Sequence, residues 1–365
     1  MRLARPAARQ CAAAGRTGAN PNRQNARFRA RFRFTLATLF FSASSTEDCG
    51  GHRMGITLDV FHDFHLHGAS APEWNQRYLQ VSPGPMRSML AEATSSRVHV
   101  FRKWMSERVV QQGGLPAGRL CFAVGHVQGE GIPRAQGRAL NGENLFLLRG
   151  GDDFTLQRPR GMELLAVTFE AEAFHRMLDE RPLPASARRQ LSQQVLQASP
   201  EAVRRLRQVL LGILEGSVAG GVPGLDEGAA ERAVFEALCG VVEGAAGSLH
   251  SVANASADFI VSECHRIVAA SGDAPPGIDA LCRRLRTSRR SLQNGFRQMA
   301  DTTPVHYLRS LRLNAVRGRL LSTPSSQLSV SQAAEDQGFR HLSHFTQRYK
   351  ALFGELPSAT ARAPQ

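Results

Sequence analysis

Two short stretches near the C-terminus carry side chains suited to bonding the edges of DNA bases. Arginine can bond guanine through two hydrogen bonds, and glutamine or asparagine can bond adenine in the same way. The first stretch supplies outward positions at Arg289, Arg290, Gln293, Asn294 and Arg297. The second supplies His341, Leu342, Ser343, Thr346 and Gln347. A charged, solvated helix face is the alternative, but two arginines followed by Gln and Asn are richer in base-bonding types than solubility requires. These residues predict double-stranded DNA as a partner.

Each stretch lies in a pattern typical of a helix-turn-helix unit, in which one helix enters the major groove and the other braces it. The first unit spans 278–296, and Ser288 stands where an N-cap belongs. The second unit spans 328–349, and Gly338 ends its first helix because glycine easily adopts positive φ. We call the second helix of each unit its reading helix.

A single apolar-periodic helix is predicted between the two units, over 304–321. Pro304 fits the first position of that helix, and Thr303 fits its cap. At about 1.5 Å per residue it spans roughly 27 Å, close to the roughly 34 Å of one DNA turn. Four arginines are expected outside its apolar face: Arg309, Arg312, Arg317 and Arg319.

Charge is concentrated at the two ends of the 365-residue chain. The formal net charge of +14 divides into +8 over residues 1–53, −1 over 54–255 and +7 over 256–365. A basic C-terminal segment around the predicted helices is the electrostatic pattern expected for phosphate binding. A merely soluble basic surface is the alternative.

Other chemistry finds little support in the sequence. The six cysteines form no CxxC pair, so we expect neither a zinc framework nor disulfides, and a cytoplasmic location fits. No apolar run approaches the length of a membrane span, and no nucleophile-elbow, Walker or dinucleotide-binding motif is present. His62, His65 and His67 are candidate metal ligands, but a polar, solvated segment is the prediction. We therefore expect no enzyme activity, no metal and no cofactor.

The rest of the chain divides by the period of its apolar residues. Residues 1–53 are Arg-rich and are read as a disordered extension or a mis-called start, ahead of Met54; a targeting segment is the alternative. Residues 54–170 are β-rich, with predicted strands at Val98–Trp104, Leu120–Val127, Asn144–Leu148, Phe154–Gln157 and Leu164–Phe169. Residues 171–250 are predicted helical, with Val195 through Leu214 at helical spacing, and 251–256 form a polar joint.

The C-terminal residues resemble the AraC/XylS family of transcriptional regulators over 256–361. The resemblance rests on Gly338-Phe339, Ser343, Phe345, Tyr349-Lys350, Phe353-Gly354 and Pro357, and in the connecting helix on Pro304, Tyr307-Leu308-Arg309 and Leu311-Arg312-Leu313. The chain departs from the family pattern at Arg286, where glycine is usual, at Asn294, where Arg is common, and at Tyr349, where Phe is common.

The resemblance implies more than the residues alone. It adds Lys350 to the predicted DNA-binding set and implies an N-terminal sensing or dimerising domain, a small-molecule effector, a homodimer and contact with RNA polymerase. Within the family, the 74–86 segment and the 309–317 run are similar to regulators of ethanolamine operons.

The sequence thus predicts an α+β multidomain protein. An N-terminal small β-barrel or sandwich-like sensing domain with helices precedes an all-α domain with two helix-turn-helix units. The expected function is sequence-specific DNA binding by a ligand-responsive transcription regulator, an activator in the family's manner, that contacts two successive major grooves. The alternatives are a β-barrel metalloenzyme fused to a DNA-binding module, and a DNA-binding protein whose β domain only dimerises. Trp74, Tyr78, Phe101, Trp104 and Phe122 are candidates to line a ligand cavity, with core packing as the default.

Overall fold

The computed structural model describes residues 55–364 except 128–129, 137, 182, 217–226, 246–254, 270, 272–275 and 301. The predicted extension 1–53 and most of the predicted joint at 251–256 therefore lie outside the described residues. No helix among the described residues is long and apolar enough to cross a membrane.

The N-terminal domain is built on twelve strands among the described residues. They are β1 (Gly55–Phe61), β2 (Arg77–Gln80), β3 (Ser88–Thr94), β4 (Val98–Met105), β5 (Val109–Gly114), β6 (Arg119–Val127), β7 (Arg134–Ala135), β8 (Arg138–Ala139), β9 (Asn144–Arg149), β10 (Asp153–Arg158), β11 (Met162–Glu170) and β12 (Val195–Gln197). They form a seven-stranded sheet in the order β1-β3-β4-β11-β6-β9-β12 and a five-stranded sheet in the order β2-β5-β10-β7-β8.

The helices divide into an N-terminal and a C-terminal set. In the N-terminal domain they are α1 (Phe64–Ala69), α2 (Ala171–Glu180), α3 (Ala185–Gln190), α4 (Pro200–Gly216) and α5 (Glu227–Glu243). In the C-terminal domain they are α6 (Ala255–Ala269), α7 (Ile278–Arg284), α8 (Arg289–Ala300), α9 (Pro304–Ser322), α10 (Val330–Asp336) and α11 (Leu342–Phe353). Short 3-10 helices lie at Pro72–Trp74 and Pro357–Ala359. The predicted fold class, a β domain with helices followed by an all-α domain, is confirmed.

The central strand β11 lies in the buried core of the large sheet. All its residues but the last are buried, and it pairs with β4 on one side and β6 on the other. Strands buried on both faces read as continuous apolar runs, which is why Leu164–Phe169 was predictable. Helices α4 and α5 cover this sheet, with Phe122, Phe174 and Phe235 in one aromatic cluster.

The prediction that Val195 belongs to a helix is wrong. Val195 was placed at helical spacing with the residues after it, but it pairs with Phe146 as part of the edge strand β12. The helix begins only at Pro200, after Ser199 accepts a hydrogen bond from the Ala202 amide. A three-residue strand is too short to show a period of its own.

The predicted solvated segment around His62–Gly68 is instead a structured helix. Asp63 caps α1 by accepting a hydrogen bond from the His65 amide at 2.7 Å, and Phe64 and His67 are buried. His67 shares a 2.8 Å hydrogen bond with the Ser88 hydroxyl. Burial, together with the nearby Lys103 and Arg158, lowers the pKa of His67 to about 2, so its ring is neutral. Among the described residues, no three His, Cys, Asp or Glu side chains are grouped to hold a metal ion.

The two domains are joined by an ion pair that the sequence did not predict. Arg317 was expected outside the apolar face of α9, yet it is only 7% exposed. Its Nε lies 2.7 Å from Asp63 Oδ2, and its Nη1 lies 2.7 Å from Glu355 Oε1. The guanidinium also stacks over the Phe353 ring at 4.8 Å. Two carboxylates offset the cost of removing this cation from water.

An asparagine side chain adds a second directional contact between the domains. Asn314 on α9 donates from Nδ2 to the Gln80 carbonyl at 2.9 Å and accepts from the Gln80 amide at 3.0 Å. It therefore bonds the end of strand β2 as a neighbouring strand would. The Gln80 side chain in turn donates to the Leu352 carbonyl at 2.6 Å, near the end of α11.

We predict that Arg317→Met destabilises the protein strongly. The substitution leaves the buried Asp63 carboxylate without its cation, and the expected loss in free energy of unfolding is about 3–5 kcal/mol. Urea unfolding followed by tryptophan fluorescence measures it. Arg319→Met, two residues away on the same helix and half-buried, is the matched control and should cost far less. Equal losses for the two variants would contradict the importance assigned to Arg317.

Candidate nucleic-acid interface

The first helix-turn-helix unit consists of α7, a turn and α8. As predicted, Ser288 caps α8, since its hydroxyl accepts a hydrogen bond from the Ser291 amide at 3.0 Å. Leu281, Leu292 and Phe296 are fully buried, and Phe296 contacts the Tyr307 ring at 5.0 Å between centroids. Helix α6 completes this core through Val261, Cys264 and Ile267. The packed face fixes which face of α8 is left outward.

The outward face of α8 carries all five candidates from the sequence, Arg289, Arg290, Gln293, Asn294 and Arg297, and each is exposed. Arg289 is also engaged within the unit, with its Nη2 2.5 Å from Asp279 Oδ1. Both partners of this pair are largely exposed, so water screens it and the arginine can exchange Asp279 for a phosphate at little cost.

The second unit consists of α10, a turn and α11. The Ser329 hydroxyl caps α10 by accepting from the Gln332 amide at 3.0 Å. Of the predicted contacts, His341, Leu342, Ser343, Gln347 and Lys350 are exposed, while Thr346 is half-buried. Phe345, Tyr349, Leu352 and Phe353 are buried on the opposite face. The partial burial of Thr346 places it at the margin of the outward face.

The turns of the two units both contain a residue with positive φ, but the residue types differ. Gly338 has φ of +78°, and Arg286 in the first unit has φ of +50°. The left-handed region is open to glycine but strained for a residue with a Cβ. Arg286 is the position where the resemblance to the AraC/XylS family predicts glycine, so the left-handed conformation is kept here at a local cost.

A basic cleft of about 470 Å³ lies between the two units. We use this name for the pocket lined by α9 and by the turn and reading helix of the second unit, with Gly277 and Ile278 at one side. Its cationic side chains are Arg309, Arg312, Arg340 and Arg348, joined by His341 and His344. No acidic residue is among the described lining residues.

The electrostatics of the basic cleft favour an anion. Burial lowers the pKa of Arg309, and the neighbouring Arg348 lowers it further, so these two positive charges destabilise each other. A phosphate shared between them would relieve that repulsion and accept charge-assisted hydrogen bonds. The cleft therefore has the chemistry of a DNA backbone contact rather than of base recognition.

Arg340, His344 and Arg348 were missing from the sequence-based set. Their signal was available, because they recur every four residues and so share one side of α11 and its approach. The predicted set follows the base-bonding residue types at 341–347 and leaves out this basic row. Arg309 on α9, by contrast, lines the basic cleft only because α9 packs near α11. No neighbouring residue in the sequence indicates that position.

The C-terminal domain is similar in sequence to domains of known proteins. Residues 281–363 match the model of a family described as a helix-turn-helix domain. The XylDLEGF operon transcriptional activator of Pseudomonas putida is 43% identical over 75 residues, covering 20% of this chain and 23% of that protein. The probable thc operon regulatory protein of Rhodococcus erythropolis is 33% identical over 93 residues, covering 26% and 28%. The chain thus spans about a quarter of the length of these relatives.

Among solved structures, the AraC-like transcriptional activator CuxR overlaps 73% of this chain and 96% of its own, at 12% identity and a TM-score of 0.39. ToxT from Vibrio cholerae O395 overlaps 79% of this chain at 16% identity and a TM-score of 0.25. The sequence matches carry the firmer result: the C-terminal part of this chain is a helix-turn-helix domain similar to those of named transcriptional regulators.

We predict opposite effects of glycine exchange at the two turns. Arg286→Gly should raise the free energy of unfolding by roughly 0.5–1 kcal/mol, because it removes left-handed strain. Gly338→Ala should lower it by about 1–2 kcal/mol for the same reason. A Cβ at 338 would come no closer than 3.8 Å to its nearest neighbour, so backbone conformation alone decides. Gly142→Ala, in open space, is the neutral control in urea unfolding.

We predict that Arg348→Ala weakens DNA binding evenly across sequences. Loss of one phosphate contact should reduce the slope of log affinity against log salt by about 1. Fluorescence anisotropy with the full chain over a range of salt concentrations measures the slope. Arg205→Ala, an exposed arginine on α4, is the control and should leave it unchanged. An unaltered slope for Arg348→Ala would place the basic cleft away from DNA.

Proposed function

We propose that this chain is a one-component transcription regulator of the AraC/XylS type that binds double-stranded DNA in a sequence-specific manner. The observation that carries the proposal is the presence of two reading helices, each with a polar exposed face, joined by one helix and with a basic cleft between them. A single unit would satisfy a general DNA-binding role. Two units joined by α9 suit two successive major grooves.

The length of α9 supports this arrangement. Its 19 residues correspond to about 28 Å at 1.5 Å per residue, near the roughly 34 Å of a DNA turn. The basic cleft beside α9 would then meet the phosphates that separate the two grooves. In this arrangement Arg290, Gln293 and Asn294 bond bases in one groove, and His341, Ser343 and Gln347 bond bases in the next. Arg289, Arg297, Leu342, Thr346 and Lys350 complete the proposed contact set.

Partners beyond DNA are part of the same proposal. The matched relatives include a protein named as a transcriptional activator, so we propose activation through RNA polymerase for this chain, in the cytoplasm. The β-rich N-terminal domain, with predicted limits of 54–170 and 171–250, would sense a small molecule and support a homodimer. The 256–361 limits of the DNA-binding domain and the similarity to ethanolamine-operon regulators also stay predictions.

The enzyme alternative has no observation in its favour. Trp74, Tyr78, Phe101 and Phe122, candidates for lining a cavity, are buried, with Trp74 edge-on to Phe101 at 5.8 Å. Burial raises the pKa of the Cys121 thiol to about 12, which is opposite to the shift of a reactive cysteine. Trp74, Phe101 and Phe122 therefore fit core packing, and we expect no catalysis.

Selection of bound sites from a random DNA pool tests the proposal. With the full chain, we expect one motif with two half-sites about 10 base pairs apart. Arg290→Ala should relax the preference at about one base pair of one half-site and cost roughly 1–3 kcal/mol on the selected DNA. Gln347→Ala should do the same in the other half-site.

Two exposed residues serve as controls for these variants. Arg205→Ala on α4 and Gln332→Ala on α10 remove the same side-chain types away from the reading faces, and both should select the unchanged motif. If Arg290→Ala and Gln347→Ala also select it unchanged, the reading helices are assigned wrongly. If the native chain selects no motif at all, the proposed function is wrong.

A further inference from the structure

A second cleft, of about 510 Å³, lies between the two domains. We call it the interdomain cleft. The N-terminal domain contributes α1 and β2 with the residues just before β2, and the C-terminal domain contributes one side of α9 together with Val268 on α6 and Gln337 after α10. The volume lies within the roughly 300–1,000 Å³ range of small-molecule sites. The cleft is separate from the basic cleft, and Arg312 is the one residue that the two linings share.

The walls of the interdomain cleft are largely apolar. Phe64, Tyr78 and Leu79 lie on the N-terminal side, and Val268 and Leu311 lie on the C-terminal side. Such walls suit the hydrocarbon or aromatic body of a ligand, because burying it removes apolar surface from water. They do not suit a sugar or a free inorganic ion, which would lose hydration without compensation.

The buried polar atoms at this cleft that have no hydrogen-bond partner include Gln76 Nε2 and His65 Nε2. The other end of the Gln76 amide is fully used. Its Oε1 accepts from the Tyr78 hydroxyl, from Gln111 Nε2 at 3.2 Å and from Lys103 Nζ at 3.3 Å. An unsatisfied buried donor costs about 1–3 kcal/mol, so an acceptor supplied by a ligand at Gln76 Nε2 would be stabilising.

The charge around the interdomain cleft favours a negative acceptor. Arg77, Arg312 and Arg319 line it, and no acidic side chain is among the described lining residues. Arg319 Nη1 lies 2.7 Å from Asp336 Oδ2, so Arg319 already has an anionic partner. The exposed Arg77 is therefore the cation best able to pair with a ligand. Behind Gln76, the ammonium group of Lys103 polarises the amide and strengthens Nε2–H as a donor. Burial and Arg158 lower the pKa of Lys103 to about 8, which keeps it mainly cationic at neutral pH.

We propose that the interdomain cleft is an effector site for a small organic carboxylate with an apolar body. The carboxylate accepts from Gln76 Nε2 and pairs with Arg77, and the body lies between Tyr78 and α9. Its regulatory consequence rests on the proposed function, while binding itself does not.

The position of the cleft explains how an occupant would affect DNA binding. It adjoins the Asn314–Gln80 hydrogen bonds, and Asn314 itself is part of its wall. Gly318 also lines it, and a Cβ at that position would lie 3.0 Å from His65 Cε1. A ligand touching both domains therefore binds one arrangement of α9 more tightly than another. Because such coupling is reciprocal, DNA must change ligand affinity by the same factor as ligand changes DNA affinity.

Isothermal titration calorimetry on the full chain tests the site. The probes are butanoate, 3-phenylpropanoate and octanoate, together with 3-phenylpropan-1-ol and 3-phenylpropylamine, which keep the same body and change the head group. We expect at least one carboxylate to bind, and 3-phenylpropanoate to bind at least tenfold more tightly than its alcohol and amine analogues.

Two variants and two controls locate the binding. Gly318→Leu fills the cleft, and Gln76→Glu replaces the donor with a negative charge. Each should weaken carboxylate binding at least tenfold. Gly212→Leu, on α4 in open space, and Gln112→Glu, on β5 outside the cleft, repeat the same changes and should not weaken it.

The outcomes separate this inference from the proposed function. DNA affinity measured without probe tests the regulator alone. If DNA binds but no carboxylate does, or if Gly318→Leu and Gln76→Glu bind as tightly as their controls, the effector site is wrong and the regulator stands. If carboxylates bind as proposed and saturating probe changes DNA affinity severalfold in the native chain but not in Gly318→Leu, both are supported. Carboxylate binding with unchanged DNA affinity overturns the effector role.

Discussion

The buried Arg317 guanidinium is the interaction on which the arrangement of the two domains depends. A cation taken out of water is tolerated only when carboxylates and hydrogen bonds replace its hydration. Asp63 comes from the cap of α1 and Glu355 follows α11, so one side chain of α9 joins three separate parts of the chain. The requirement is directional, since a shift of α9 along its axis would leave the buried charges of Arg317 and Asp63 separated.

Helix α9 therefore contacts three parts of the protein, namely the two helix-turn-helix units and the N-terminal domain. Different residues of the helix contact each part. Tyr307, Leu308 and Leu311 enter the core of the first unit, and Leu313, Val316 and Leu320 enter that of the second. The polar residues between them, Asn314 and Arg317, contact the N-terminal domain. This division explains why α9 is apolar around much of its circumference instead of along one stripe, as a helix buried on several sides must be.

Local features of the fold were predictable from the sequence, and distant pairings were not. Ser288, Thr303 with Pro304, and Gly338 act through backbone groups within a few residues, so their types alone indicated caps and a turn. Arg317, by contrast, has a partner 254 positions away. His67 was read as solvated for the same reason, because Ser88 and the sheet that bury it are remote in sequence. Outward positions on the reading helices followed from period, but the basic cleft needed the packing of α9 against α11.

The two helix-turn-helix units are attached to the N-terminal domain in different ways. The first unit meets it through apolar contacts of Leu79, Val81 and Val110, which tolerate sliding. The second is held by directional bonds, since the Leu352 carbonyl accepts from both Gln80 and Gly84 at the end of α11. Helix α11 has 12 residues, about 18 Å, and its other end carries the residues proposed to enter the groove. A displacement at residues 80–84 is therefore transmitted rigidly to the second reading helix, whereas the first can remain in place. In the proposed regulator, ligand binding at the N-terminal domain would accordingly change the angle between the two reading helices, and with it the ability to contact both proposed grooves at once.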